Sequence, residues 1–399
     1  APQLSVRSIE VPPSVTVSQT EPWEARMVLQ NNGEAAVELD LDAAETYLTF
    51  IIPGVGDVTG EYTVIWPAGL EIAGGSILGG NQVDTLIFTV SETGSTPGAT
   101  LVHGHVMGTD INSELDLTDN TFDGGWGNIA VQLSGDPVIE STVPERETVT
   151  SGQTTPWDVV VTVCNEGEAD LTLMPDSTRI STDPAYSFNY TTPSEFEGGG
   201  TLLPGGECKE LRFTVTSTPL IPAGADLTIH ARVGFEENNN GTYYEYDTQG
   251  ATGYGSIRVQ APGDLRIANL YNDAYRSPYV NTSQDFPIVL EVENTGEAAA
   301  DSVRVALETD GGSTIQDTLV TILHIPGYDS AIDTFHVTGS DVSGTELFTS
   351  TIRSAKDDNS EEADLVTISP ELDDTTTAVL QQPGSLVVTD VVPSQEEVN

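Results

Sequence analysis

The chain of 399 residues carries 62 acidic side chains against 13 basic ones, a formal net charge of −49. That balance argues against nucleic acid or an anionic membrane as partner, because phosphate recognition needs a basic footprint. Hydrophobic residues at 37% and aromatic residues at 7% are too lean for one large enzyme core, yet they suffice for several small sandwich cores in a chain long enough for about two to four domains; no stretch has the apolar length of a membrane span or the pattern of a basic-then-apolar leader.

Leu4, Val6, Ile9 and Val11 predict an opening strand, reached almost at once from Ala1-Pro2-Gln3 and broken by Pro12-Pro13. So early an entry suits a mature terminus or an internal cut of a longer protein. A second run alternates from an aromatic, Trp23 to Ala25, Met27 and Leu29, and ends in Asn31-Asn32-Gly33-Glu34-Ala35. Alternation places one set of side chains on a core face and the other toward water, the pattern of a half-buried strand. Asn-x-Gly is turn chemistry: the Asn side chain bonds nearby backbone, and Gly accepts a positive φ. A variable middle with apolar runs at 47–50 and 62–66 follows, then strands at 86–90 and 101–107, an acidic loop over 110–123, and a closing strand at 126–132.

The same order returns twice. Trp157, Val159, Val161 and Val163 lead to Asn165-Glu166-Gly167-Glu168-Ala169; Phe286, Ile288 and Leu290 lead, less regularly, to Asn294-Thr295-Gly296-Glu297-Ala298. Gly79-Gly80, Pro204-Gly205-Gly206 and Pro326-Gly327 precede the strands of Phe88, Phe213 and Phe335, and acidic loops at 236–240 and 357–364 match that of the first copy. A fixed spacing of about 130 residues means an array of like domains. Repeat 1 is expected at 1–133, repeat 2 at 134–261 and repeat 3 at 262–383; 384–399 starts again, with 386–392 as the first strand of a truncated fourth repeat or a donor strand. About seven short strands per repeat, with no sustained helical period, predict an all-β chain of tandem immunoglobulin-like sandwiches. The joints Leu133-Ser134-Gly135-Asp136, Ala261-Pro262-Gly263-Asp264 and Gln382-Pro383-Gly384-Ser385 are too short to be floppy, so an elongated rod is expected.

The Trp-to-Asn-x-Gly-Glu-Ala run, the Pro-Gly-Gly before Leu-x-Phe-Thr-Val, and the Asp/Asn-rich loop before the last strand resemble bacterial cell-adhesion-related (CARDB-type) domains, most clearly in repeat 2. The resemblance covers all three repeats. It implies immunoglobulin-like modules set in tandem on large secreted or surface proteins; the motif is structural and implies no particular ligand.

Cys164 and Cys208 are the two cysteines, at the end of the Trp157 strand and the start of the Phe213 strand, both out of phase with the inward residues. In an immunoglobulin-like sandwich these strands are antiparallel neighbours, so the thiols share the outer face. A disulfide closing a loop of about 45 residues is expected, and it fits secretion. Repeat 1 has Gln30 and Val83 at these places. The acidity has two compatible readings: solubility in a saline setting, where counterions screen repulsion, and divalent cations on clustered carboxylates. Asp110-x-Asn112-x-Glu114-x-Asp116 offers the alternating oxygens of part of a calcium loop, without the Gly and final Glu of an EF-hand; a solvated acidic hairpin is the plainer reading. His103 and His105 share a strand face with no third ligand indicated. Tyr243, Tyr244 and Tyr246 are candidates for a sugar-stacking or protein-contact patch, or for ordinary strand packing.

No Gly-x-Ser-x-Gly elbow, His-Glu-x-x-His, phosphate loop or Cys–His pairing occurs, so no catalytic residue is predicted. The expected role is a non-enzymatic stalk, spacer or filament on a prokaryotic surface, with Ca2+ as the sole cofactor candidate and with itself or other surface proteins as partners. The alternatives are an adhesin that binds glycan with the help of calcium, and a subunit that polymerises by donating strand 386–392.

Overall fold

The three aromatic-led runs each become a strand with one buried face: Trp23–Asn31, Trp157–Asn165 and Asp285–Asn294. A computed structural model describes residues 3–221, 223–274, 278–369 and 374–390. In each repeat this strand lies between the opening strand (Leu4–Glu10, Pro137–Pro144, Asp264–Asn272) and a later one (Val83–Glu92, Cys208–Ser217, Ser330–Thr338), with antiparallel ladders on both sides. The facing sheet starts from a short strand (Ser14–Thr16, Thr148–Thr150, Tyr279–Asn281) that runs parallel to the last one (Gly127–Gln132, Gly255–Gln260, Thr375–Gln381). It continues through Gly98–Asp110, Ala225–Glu237 or Gly344–Asp357 to Val37–Asp40, Leu171–Asp183 or Ala300–Thr309. The described residues are all-β and form an array of three immunoglobulin-like sandwiches. Among the described residues no helix is long and apolar enough to cross a membrane.

Alternation gives each sandwich its own core. Ala25, Met27 and Leu29 meet Leu86, Phe88 and Val90; Val159, Val161 and Val163 meet Leu211, Phe213 and Val215; Ile288, Leu290 and Val292 meet Phe335 and Val337. Each buried Val, Leu, Ile, Met or Phe side chain among these contributes about 1.5–3 kcal/mol. The leading aromatics pack edge-on against a second ring, Trp23 on Phe50, Trp157 on Phe188 and Phe286 on Phe348. The two buried indoles are satisfied, Nε1 donating to Thr93 Oγ1 (3.0 Å) and Thr218 Oγ1 (3.1 Å).

Three expectations need correction. The acidic stretch 110–123 is not one loop, because Asp116–Asn120 forms a strand against Gly98–Asp110. Glu236 and Glu237 belong to the strand Ala225–Glu237, which leaves 238–242 as the loop. Residues 382–390 form no ladder, so Leu386, Val387 and Val388 of the predicted strand 386–392 are exposed; Val391 and Val392 lie outside the described residues.

Candidate functional site

The turn after each aromatic-led strand is built around its Asn. Asn165 is buried; its Oδ1 accepts from Asp136 N (3.0 Å) and Gly167 N (3.1 Å), and its Nδ2 donates to Ala169 O (2.8 Å). Asn294 makes the same set with Asp264, Gly296 and Ala298, and Asn31 makes it with Gln3, Gly33 and Ala35. One side chain thereby ties the incoming linker to the turn. The glycine has a different reason from the one expected. Gly167 and Gly296 do not sit at positive φ; the linker crosses directly over them, and a Cβ would lie 2.0 Å from Ser134 O or 2.1 Å from Pro262 O. The turn glutamates also hold the linker, Leu133 N donating to Glu168 Oε2 (2.9 Å) and Ala261 N to Glu297 Oε2 (3.0 Å).

The acidic loops complete the joints. Loop 238–242 of repeat 2 docks on repeat 1: Asn239 Nδ2 donates to Thr16 Oγ1 (3.1 Å) and Gln132 Oε1 (3.0 Å), and Ser14 Oγ donates to Asn239 Oδ1 (2.8 Å). Glu237, at the loop's root, accepts from Thr16 Oγ1, from Gly135 N (3.0 Å) and from Tyr244 OH (3.0 Å). Loop 358–362 of repeat 3 docks on repeat 2 with the matching atoms. Asn359 Nδ2 donates to Thr150 Oγ1 (2.8 Å) and Gln260 Oε1 (2.7 Å), Thr148 Oγ1 donates to Asn359 Oδ1 (2.8 Å), and Thr150 Oγ1 donates to Asp357 Oδ2 (2.8 Å). Thr16, Thr150, Glu237 and Asp357 are all buried by these contacts. A buried carboxylate that receives several hydrogen bonds is compensated for its lost hydration, whereas an unpartnered one would be costly.

Joint 2 has further contacts. Thr154 and Thr155 donate to Glu362 Oε1, Arg146 donates to Asn359 O, and Arg258 pairs with Glu297 at 2.6 Å. Partial burial pushes the Glu362 carboxyl up, but the hydrogen bonds from Thr155 and Thr154 outweigh it and hold the group below the usual range. Hydrogen bonding to Glu297 raises the Arg258 guanidinium.

In the corresponding loop of repeat 1, Asp110 accepts from Ser113 Oγ and Asn112 N, bonds that hold its carboxyl below the usual range. Asn112 and Glu114 are exposed, and Asp116 sits in the next strand, accepting from Thr109 Oγ1 (3.3 Å). Asp110, Glu114 and Asp116 do not converge as a calcium set: the alternating oxygens are divided between loop and strand. Among the described residues, ligand atoms converge in threes at Glu140, Cys164 and Cys208, and at Asp301, His324 and Asp358. The first group is closed by the Cys164–Cys208 disulfide (S–S 2.02 Å), at facing positions of neighbouring strands. The second offers an imidazole nitrogen and two carboxylates to a divalent cation, with His324 Nδ1 at 2.6 Å from Asp301 Oδ1. Burial and a hydrogen bond to Asp301 push the Asp358 carboxyl up. No local motif announces this trio, because strand register sets Asp301 against His324 and the turn after Asp357 brings Asp358 beside them.

His103 is buried and stacks on Phe122, while His105 stacks on Tyr47 and bonds Glu45 O (2.8 Å). Tyr243, Tyr244 and Tyr246 do not make one patch: Tyr243 is exposed on one face, and Tyr244 and Tyr246 pack on the core on the other. Strand alternation separates them. An open trough of about 590 Å³ lies beside Leu307, Ile315 and Arg353, and the Arg353 guanidinium is bonded to Glu308.

No family model matches the chain, and no curated protein matches it. Solved structures similar to it include a type II cohesin dyad from the adaptor ScaA scaffoldin of Acetivibrio cellulolyticus, at 8% identity over 60% of this chain and 98% of that one, with a TM-score of 0.19. Native E. coli alpha-2-macroglobulin aligns at 9% identity over 96% of this chain and 23% of its own, with a TM-score of 0.20. The YadV chaperone aligns at 14% identity over 61% of this chain and 100% of its own, with a TM-score of 0.22. At such identities and scores these likenesses carry no argument about partner, ligand or activity.

Proposed function

We propose that the chain is a non-enzymatic spacer of a prokaryotic cell surface, a run of stiff modules that holds other parts of an assembly at a set distance. The observation that carries this reading is the joint. Consecutive sandwiches are latched by the same Asn, acid, Thr and Gln at both joints, over linkers held by Asn and Glu side chains. A latch at each joint resists bending where a flexible linker would not. Export to an oxidising compartment is supported by the disulfide, and the acidic surface keeps a long exposed module soluble. The likeness of the repeated motif to cell-adhesion-related modules supports the same setting.

Small-angle X-ray scattering on the whole chain tests the reading. Three sandwiches end to end, each about 35–40 Å by strand rise, give a rod-like distance distribution with a maximum dimension of about 110 Å. A broad distribution that changes from sample to sample with salt would mean hinged beads and overturn it.

A further inference from the structure

Each acidic loop follows a root acid, Asp110, Glu237 or Asp357, and its first residue is tied to its own sandwich at one corresponding place. Ile111 N donates to Ala36 O (3.3 Å), Asn238 N to Asp170 O (3.0 Å) and Asp358 N to Ala299 O (3.2 Å). Two facing strand residues complete this corner: Glu38 and Ile77 in repeat 1, Thr172 and Leu202 in repeat 2, Asp301 and His324 in repeat 3. Repeat 2 closes the corner with a neutral hydrogen bond, Thr172 Oγ1 donating to Asn238 Oδ1 (2.6 Å). Repeat 1 has Ile77 and Ile111 at the matching positions. Repeat 3 alone sets two carboxylates and an imidazole there.

Two ionised carboxylates cannot hydrogen-bond each other, so a corner that brings Asp301 and Asp358 together is stable only with positive charge between them. Lys356 does not supply it: opposite Asp301 in the ladder, it pairs with Glu361 instead, at 3.7 Å. A protonated His324 would offset one carboxylate and leave the second. One ligand atom from each of Asp301, His324 and Asp358 lies within 4.8 Å of the other two. The side chains of His324 (50% exposed) and Asp301 (38%) have room to turn. Bonds of about 2.0–2.2 Å to a common ion would draw the three donors to about 3.3 Å from one another. An imidazole with two carboxylates suits a borderline transition cation better than Ca2+, which takes about six to eight oxygens. We propose that Asp301, His324 and Asp358 bind a divalent transition cation of the Zn2+ kind, with solvent in the remaining coordination position. The site joins the strands Ala300–Thr309 and Leu319–Ile325 to the residue before Asn359 of the joint 2 latch. A bound ion therefore clamps the docking loop at its root. The site is built from repeat 3 alone and stands whether or not the chain is a spacer.

Calorimetric titration of Zn2+ into the chelator-stripped whole chain tests the site, with millimolar Ca2+ present to fill diffuse carboxylate sites on a surface carrying 62 acids. One equivalent of zinc should bind over that background. His324→Gln, which removes the imidazole, should weaken binding at least tenfold. So should Asp301→Thr with Asp358→Asn, which restores the neutral pair used by repeat 2 and so keeps the corner closed without metal. Hydrogen exchange across 358–362 should slow when zinc is added to the native chain, and not in either variant. Absence of a stoichiometric site over the Ca2+ background, or variants that take up zinc like the native chain, would overturn the proposal. Zinc uptake that leaves exchange in the loop unchanged would overturn the clamp.

Discussion

The two internal joints use one latch with two different acids. Glu237, longer by a methylene, spans from Thr16 to the linker amide of Gly135 and also takes the Tyr244 hydroxyl. Asp357 is shorter. It holds Thr150 and turns its remaining capacity inward, accepting from Ser360 N (3.0 Å) and Ser360 Oγ (2.9 Å) of its own loop. Joint 2 compensates at its margin, where Glu362 and Arg258 stand in place of Thr242 and Ala130 of joint 1. The comparison separates two tasks. The Asn–Thr–Gln latch, common to both, sets the register of one sandwich on the next; the contacts around it set how firmly that register is held.

The largest disturbance should come from the feature both joints share. Gly167→Ala and Gly296→Ala each drive a Cβ into a linker carbonyl, which should cost about 2–4 kcal/mol. Hydrogen exchange should show the affected linker and docking loop opening together while the cores stay protected. Next come Asn239→Ala and Asn359→Ala, each removing three inter-repeat hydrogen bonds, at about 2 kcal/mol of latch stability. Distance distributions from spin labels across each joint should broaden, and more at joint 1, where fewer marginal contacts remain.

Glu362 sharpens the contrast through pH. Its folded pKa lies below the ordinary 4.5, so its contribution is present above that value and is lost as pH falls through the folded one. Joint 2 should therefore show an acid loosening below about pH 4.5 that Glu362→Gln abolishes, read as label-distance broadening against the same labels at joint 1. The smallest effect is expected from Arg258→Ala. Its pair with Glu297 is about a third exposed on the Arg side, and such pairs contribute at most about 1 kcal/mol. A small broadening at joint 2 that salt reproduces in the native chain would fit this; a loss as large as that from Asn359→Ala would place the latch at the ion pair.

The sandwich class was legible because period-2 alternation and turn chemistry survive in all three repeats. The disulfide was legible for the same reason: Cys164 and Cys208 are out of phase with their inward neighbours and sit at strand ends that face one another. The latch was not read, although its residues were in view. In a chain with 62 acids, the acidic loops of repeats 2 and 3, Glu237-Asn238-Asn239-Asn240-Gly241 and Asp357-Asp358-Asn359-Ser360-Glu361, look like solvated carboxylates. What they bind is a Thr and a Gln about 100 to 220 residues away in sequence, a pairing that no local pattern carries. The glycine of the turn was recognised as necessary for the wrong reason, since close approach of a linker leaves no trace in the turn's own sequence.

The disulfide gives the array an uneven response to pulling. Stretched from its ends, a sandwich that unravels lengthens by the chain it releases, and repeats 1 and 3 have no covalent stop. In repeat 2 the 44-residue separation between Cys164 and Cys208 stays locked, which withholds about 150 Å of contour length at ~3.4 Å per residue. In a single-molecule extension trace the middle module should give a visibly shorter step than its neighbours, and a reductant should restore the missing length. The second sandwich thus carries its own covalent limit on extension, which its two neighbours lack.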